Sequence, residues 1–385
     1  MSLLKIASSV AAFVKVRVWD KEVIDTFDFR LHYRFTCAFL FLASILCTAT
    51  SFLGDPITCI VDNEKIKKAV TTYCWITSTF TVPRLKGGRP GVDVAAHNVG
   101  PYLAYEESVV HHNYYQWVPF VLVFQGLMFY APHWLWKKWE GGLISNISEG
   151  LRGRKIGDNE ETRKKMERVI LYFTSSWRMH KMYCACYTFC VALNLINTFG
   201  NIFLINKFLG GTFLEYGTKV LQLPDQEFRT DPMADVFPKI TKCTFHKYGP
   251  SGGIQVLDVM CVLALNILNE KIYIFLWFWL IILAVISSLG LLYTLAITRF
   301  PKARETVFKR GFKISRTATK SIATKLSAGD FLVLHFLGQS ISAASFTELL
   351  DQLSENLNDK RSHGNQTPPL IEMSPLYPHL PKTAA

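Results

Sequence analysis

The chain has 385 residues, 50% hydrophobic, 14% aromatic and only 19% charged. Soluble domains ordinarily carry about 25% charged residues, so this composition argues against a fold held wholly in water. The net charge of +12 gathers beside apolar runs, which reads as a membrane-topology signal and speaks against nucleic-acid binding.

Within 1–34, residues 1–18 read as a short amphipathic helix. Leu3, Ile6, Val10 and Phe13 recur at helical spacing, with Ser2, Lys5, Ser8 and Ser9 mostly elsewhere. Such a helix either lies on a membrane surface or folds into a pore mouth. Lys5, Lys15, Arg17, Arg30 and Arg34 come without the compact apolar core of a cleavable signal. The first span is therefore expected to be the retained targeting signal.

Four stretches reach the roughly 20 apolar residues that a membrane-crossing helix needs: 35–52, 114–136, 183–209 and 272–297. Cys37 and Cys47 in the first read as packing residues. The second carries Pro119, which either kinks the helix to shape a vestibule or is a harmless defect near the interface, and Trp117, Trp134, Trp136 and Trp139 near its ends fit aromatic belts. The third is interrupted by Asn194, Asn197 and Asn201 on one helical face. These form either interhelical hydrogen bonds or a pore lining. Cys184, Cys186 and Cys190 at its start pack, bind metal or accept a lipid.

The loop 53–113 holds Cys59 and Cys74, and the loop 210–271 holds Cys243 and Cys261. Two thiols in each are expected if both face an oxidising exterior. Four cysteines permit three pairings; pairing between loops would staple them into one unit, and Cys59–Cys261 with Cys74–Cys243 is favoured. His111–His112 reads as an interfacial pair or a metal or proton site.

The loop 137–182 contains Lys137, Lys138, Arg152, Arg154, Lys155, Arg163, Lys164, Lys165 and Arg168. Asp158 with Glu161 resembles a capping box before a stripe of Met166, Val169, Ile170 and Phe173. The sequon at Asn146 falls here. Residues 298–360 read as helical and open with Arg299, Lys302, Arg304, Lys309 and Arg310 against Glu305. The tail 361–385, with five prolines from Pro368 to Pro381, reads as disordered. Basic residues favour the cytosol, so both termini are placed there. The expected fold class is an all-α membrane protein: a four-transmembrane-helix subunit with a disulfide-stapled extracellular domain and a helical cytoplasmic domain.

No catalytic motif is found, and no cofactor or metal is expected. Four helices pack around side chains rather than a wide aqueous path, so conduction would require a homo-oligomer around a shared axis.

Tyr114-Tyr115-Gln116-Trp117-Val118 resembles the signature pentapeptide of the innexins, the gap-junction proteins of invertebrates. Gly54-Asp55-Pro56-Ile57 before Cys59, Cys74-Trp75-Ile76, Phe208-Leu209-Gly210-Gly211 with Tyr216-Gly217, and Asp231 through Tyr273 are similar to that family's loops. Two cysteines per loop differ from the three of vertebrate connexins; pannexins share the pair, but the pentapeptide favours innexins. The resemblance implies an octameric hemichannel, homomeric or mixed with another innexin, in plasma-membrane lipid. It would dock with the hemichannel of the neighbouring cell and pass ions and small metabolites by diffusion. It also implies that the N-terminal helix, including Ser2, Leu3, Leu4, Lys5 and Ile6, folds into the pore mouth. Alternatives are an undocked hemichannel releasing metabolites such as ATP, or a non-conducting adhesion protein.

Overall fold

The computed structural model describes residues 22–101, 108–149, 151, 160–176, 179–221, 232–311 and 326–362. The helix expected over 1–18, the cap at Asp158 and the tail from residue 363 lie outside these residues, whereas residues 361–362, expected to open the disordered tail, belong to the last described helix, Ala343–Ser362. The chain divides into two units. A helical unit takes the described residues up to Leu31, then Ala131–Leu195, then those from Ser287 onward; a sheet unit takes His32–Tyr130 and Ile196–Ile286.

In chain order, α1 (Phe27–Leu53) includes a π-helical stretch, Leu31–Thr36. There follow β1 (Thr58–Ile60), α2 (Glu64–Thr77), β2 (Thr79–Thr81) and β3 (Val110–His112). Asn63 caps α2 by accepting the Lys65 N–H at 3.0 Å. A 3-10 turn, Tyr114–Gln116, leads into α3 (Val118–Glu140), then α4 (Leu143–Ser148), α5 (Glu160–Ser175) and α6 (Lys181–Phe208). Next come α7 (Phe213–Leu221), α8 (Pro232–Val236), β4 (Ile240–Tyr248), β5 (Ile254–Val262) and α9 (Ala264–Arg299). The described chain closes with α10 (Pro301–Gly311), α11 (Ala328–Ser340) and α12 (Ala343–Ser362).

Four helices, α1, α3, α6 and α9, are long and apolar enough to cross a membrane. Helix α9 begins at Ala264, ahead of the apolar run from Ile272, and of the intervening polar residues Asn266, Asn269 and Glu270 are buried rather than solvated. Asn266 donates to Pro238 O at 2.8 Å and Asn269 to Asn266 Oδ1 at 3.3 Å. Pro119 is the second residue of α3. A missing N–H in the first turn breaks no intrahelical bond, so of the two readings the kink has no cause at that position. The proline inside α3 is Pro132. Asn197 donates to Met128 O on α3 at 3.1 Å, an interhelical hydrogen bond, whereas Asn201 donates within α6 to Asn197 O at 2.9 Å.

The expectation of an all-α fold is corrected by a five-stranded antiparallel sheet, ordered β1-β5-β4-β2-β3. Strands β4 and β5 are rich in Ile, Val, Thr and aromatic residues that fit a pleated surface. They pair from Ile240↔Val262 to Tyr248↔Ile254. Between them, Gly252 takes φ +79° and the Gly249 N–H donates to Gly253 O at 2.7 Å, a turn that a side chain at 252 would strain.

In the helical unit, Met166, Val169, Ile170 and Phe173 of α5 are buried, with α5 against α12 and α4 against α11. Every residue from Gly329 to Gly338 of α11 is buried, as expected of a helix apolar nearly all round. Ser327 opens α11 with a capping box to Asp330. The Asn146 sequon lies in α4, where Ser148 is buried.

Candidate functional site

The two cysteine-bearing loops become one object in the sheet unit. Cys59 of β1 lies opposite Cys261 of β5, Cα atoms 4.0 Å apart, and the two form a disulfide. Cys74 of α2 is bonded to Cys243 of β4, with Cα atoms 5.9 Å apart. These are the favoured pairings. The sulfurs of Cys59, Cys74 and Cys261 lie within 4.8 Å of one another, but disulfide sulfurs are spent as metal ligands. Ile57, Val70, Tyr115, Val259 and Leu263 bury the bridges in one apolar cluster.

The pentapeptide Tyr114–Val118 is the joint between this module and the first turn of α3. Tyr115 is fully buried, its ring stacked on Trp75 at 4.7 Å and its hydroxyl donating to Cys74 O at 3.4 Å. The Tyr114 hydroxyl donates to Val236 O at 3.0 Å and accepts from Asn266 Nδ2 at 3.2 Å. Gln116 Nε2 donates to Trp75 O. Burial raises both phenols, that of Tyr115 to about 12, so both remain neutral donors. Trp117 is 61% exposed and Val118 is buried. Three of the five side chains thus hold the two loops against α3.

A second clasp secures the segment after β2. Asp235 of α8 meets Lys86 Nζ at 2.6 Å and His97 Nε2 at 2.9 Å. Lys242 of β4 donates to Gly100 O at 2.7 Å and pairs with Asp258 at 2.6 Å. Sequence reasoning missed this clasp because its members are far apart in the chain.

His111 and His112 point to opposite faces of β3. His112 is buried, with Nε2 2.8 Å from Thr81 Oγ1, whereas His111 is exposed beside Ser78; alternation along a strand separates adjacent side chains, so they do not form a chelating pair. Cys184 and Cys190 are buried in α6 and Cys186 is half-buried, with Cys184 Sγ 3.7 Å from Thr298 Oγ1.

With this geometry in place, the comparisons are specific. The family model described as Innexin matches residues 25–357. The chain is 47% identical to Innexin inx3 of Drosophila melanogaster, covering 98% of this chain and 97% of that protein. It is 41% identical to Innexin inx2 of Schistocerca americana (93% and 99% covered) and 39% identical to Innexin shaking-B of Drosophila melanogaster (88% and 92%). The match spans both cysteine-bearing loops, the pentapeptide joint and all four long helices, and on it the chain belongs to the innexins, the gap-junction channel proteins of invertebrates.

Proposed function

We propose that this innexin assembles as an octameric hemichannel whose disulfide-tied sheet unit faces the extracellular gap and docks with its counterpart on the adjacent cell. Both termini then lie in the cytosol, and the segment Ser2–Ile6 folds into the pore mouth. The observation that carries this reading is the covalent union of residues 53–113 with 210–271 through Cys59–Cys261 and Cys74–Cys243. Disulfides persist in oxidising compartments, and the opposite loop and the segment after α9 hold the dense Lys and Arg runs that resist translocation. A rigid, cross-linked surface loses little conformational freedom on docking, which favours a stable intercellular contact. Ions and small metabolites pass through by diffusion.

Paired-cell electrophysiology with this chain expressed in both cells tests the proposal. Junctional conductance that disappears when Cys59 or Cys243 becomes Ser is the expected result. Conductance that persists in both variants, or sugar attached at Asn146, would refute the orientation and docking. Silence of the homotypic pair with recovery on adding a second innexin identifies an obligate heteromer, the mixed form of the same channel.

A further inference from the structure

Helix α9 ends in an exposed apolar stripe that runs into exposed cations. Leu289, Leu292 and Leu295 are 61%, 62% and 45% exposed, and at 3.6 residues per turn Arg299 falls within the same arc. Phe300 is 60% exposed. Arg299 and Lys302 are both exposed, and among the described residues no acidic partner meets either. From Arg299 to Gly311 the cations Arg299, Lys302, Arg304, Lys309 and Arg310 face the single acid Glu305. Glu305 is taken by Lys309 at 2.5 Å.

A cation at a helix C-terminus ordinarily caps the last carbonyls. Here that task belongs to Arg304, which is buried and donates to Ile297 O at 2.7 Å, Thr298 O at 2.8 Å and Leu326 O at 2.9 Å. Arg299 is thereby left for an external anion. Arg304 also ties the start of α10 to the last carbonyls of α9, with Lys302 three positions after Arg299 in the chain.

We infer that the α9–α10 junction binds an anionic phospholipid, with acyl chain along Leu289, Leu292 and Leu295 and headgroup phosphate between Arg299 and Lys302. A free phosphate would leave the leucine stripe unused. The amphiphile matches both halves. In the orientation proposed above, the leaflet is the cytosolic one, where anionic lipids concentrate; only that choice of leaflet rests on the proposed orientation.

The test uses the full chain reconstituted in phosphatidylcholine vesicles with trace spin-labelled phosphatidylserine or phosphatidylcholine. The readout is the fraction of each probe that the protein immobilises. Phosphatidylserine is expected to be preferred several-fold, the preference falling by up to about fivefold for each cation removed in Arg299→Gln and Lys302→Gln. In the unmodified protein the preference should collapse at 1 M salt, where the Debye length drops to about 3 Å, a control that needs no variant to fold. Equal immobilisation of the two probes, or an unchanged preference in the double variant, overturns the inference. The latter result would place the source of the preference elsewhere in the protein. Junctional conductance is not read, so failure of this site and failure of the channel proposal give separate results.

Discussion

His180 Nδ1 lies 2.7 Å from Asp330 Oδ1, with both side chains buried at 8% and 2% exposure. The same carboxylate closes the α11 capping box on Ser327, and His180 Nε2 meets the Tyr172 hydroxyl at 2.6 Å. One carboxylate therefore caps α11 and fastens it to His180, the residue just before α6, and through Tyr172 the histidine reaches α5. Removing it strands a buried histidine and uncaps the helix. Asp330→Ala is expected to cost about 3 kcal/mol, combining a lost cap with a broken buried pair. The thermal midpoint of the detergent-solubilised protein checks this; a midpoint within a degree of the parent would refute it.

Gly329 belongs to the same contact. A Cβ there would sit 1.8 Å from His180 O, a backbone atom that cannot swing aside. Gly329→Ala should therefore destabilise as severely as Asp330→Ala although it removes no hydrogen bond. Normal expression and an unshifted midpoint would show that α11 and His180 pack less closely than described.

The two disulfides predict a particular pattern of non-additivity. Cys74→Ser and Cys243→Ser delete the same bond, so each should cost about 2–5 kcal/mol and the double variant should cost no more than either single one. Each single variant should also free one thiol for alkylation, at Cys243 and Cys74 respectively, with Cys59 and Cys261 still unreactive. Mass spectrometry of the unreduced, alkylated protein decides, and label at Cys59 or Cys261 would contradict the pairing.

The residues that could be read from the chain alone were those whose chemistry is local. Two cysteines per loop, the α5 stripe and the four apolar runs announce themselves by spacing. The sheet did not, because β1, β2 and β3 are three residues each and owe their extended form to distant partners. Arg304 was hidden for another reason. It sits in a run of cations that reads as solvated, yet three carbonyls brought together by the turn after α9 bury its guanidinium. Pro119 misled in the opposite direction: the apolar run begins at Tyr114, which put the proline inside a span, whereas Tyr114–Gln116 forms a 3-10 turn and the helix starts at Val118.

Tyr115 separates packing from hydrogen bonding. Its hydroxyl contact to Cys74 O is long, at 3.4 Å, whereas its ring is fully buried against Trp75. Tyr115→Phe should cost about 1 kcal/mol, and Tyr115→Ala about 3–5 kcal/mol through the cavity left beside the disulfides. Junctional conductance should survive the first and fall sharply with the second. Equal loss in both would place the weight on the hydroxyl and refute the packing argument.

Acidity should loosen the sheet unit through His112. Burial, with a smaller push from His111, lowers its imidazole to about 4, against roughly 6.5 in an unfolded chain. Between those values the unfolded state binds more protons, so the stability that His112 contributes is complete above about 6.5 and is lost as pH falls toward 4. At pH 5 the loss amounts to about 2 kcal/mol. Asp235 acts in a lower window. Burial alone would raise its carboxyl, but hydrogen bonds from His97 and Lys86 hold it at about 2, so its contribution is intact above roughly 4. His335, lowered by burial to about 4 in the helical unit, adds a loss of the same sign as His112, so the parent protein alone does not isolate the sheet. His112→Gln does: Gln retains a partner for Thr81 but cannot titrate. The thermal midpoint of the parent should drop further than that of the variant between pH 7 and pH 5, and equal drops would remove His112 from the account.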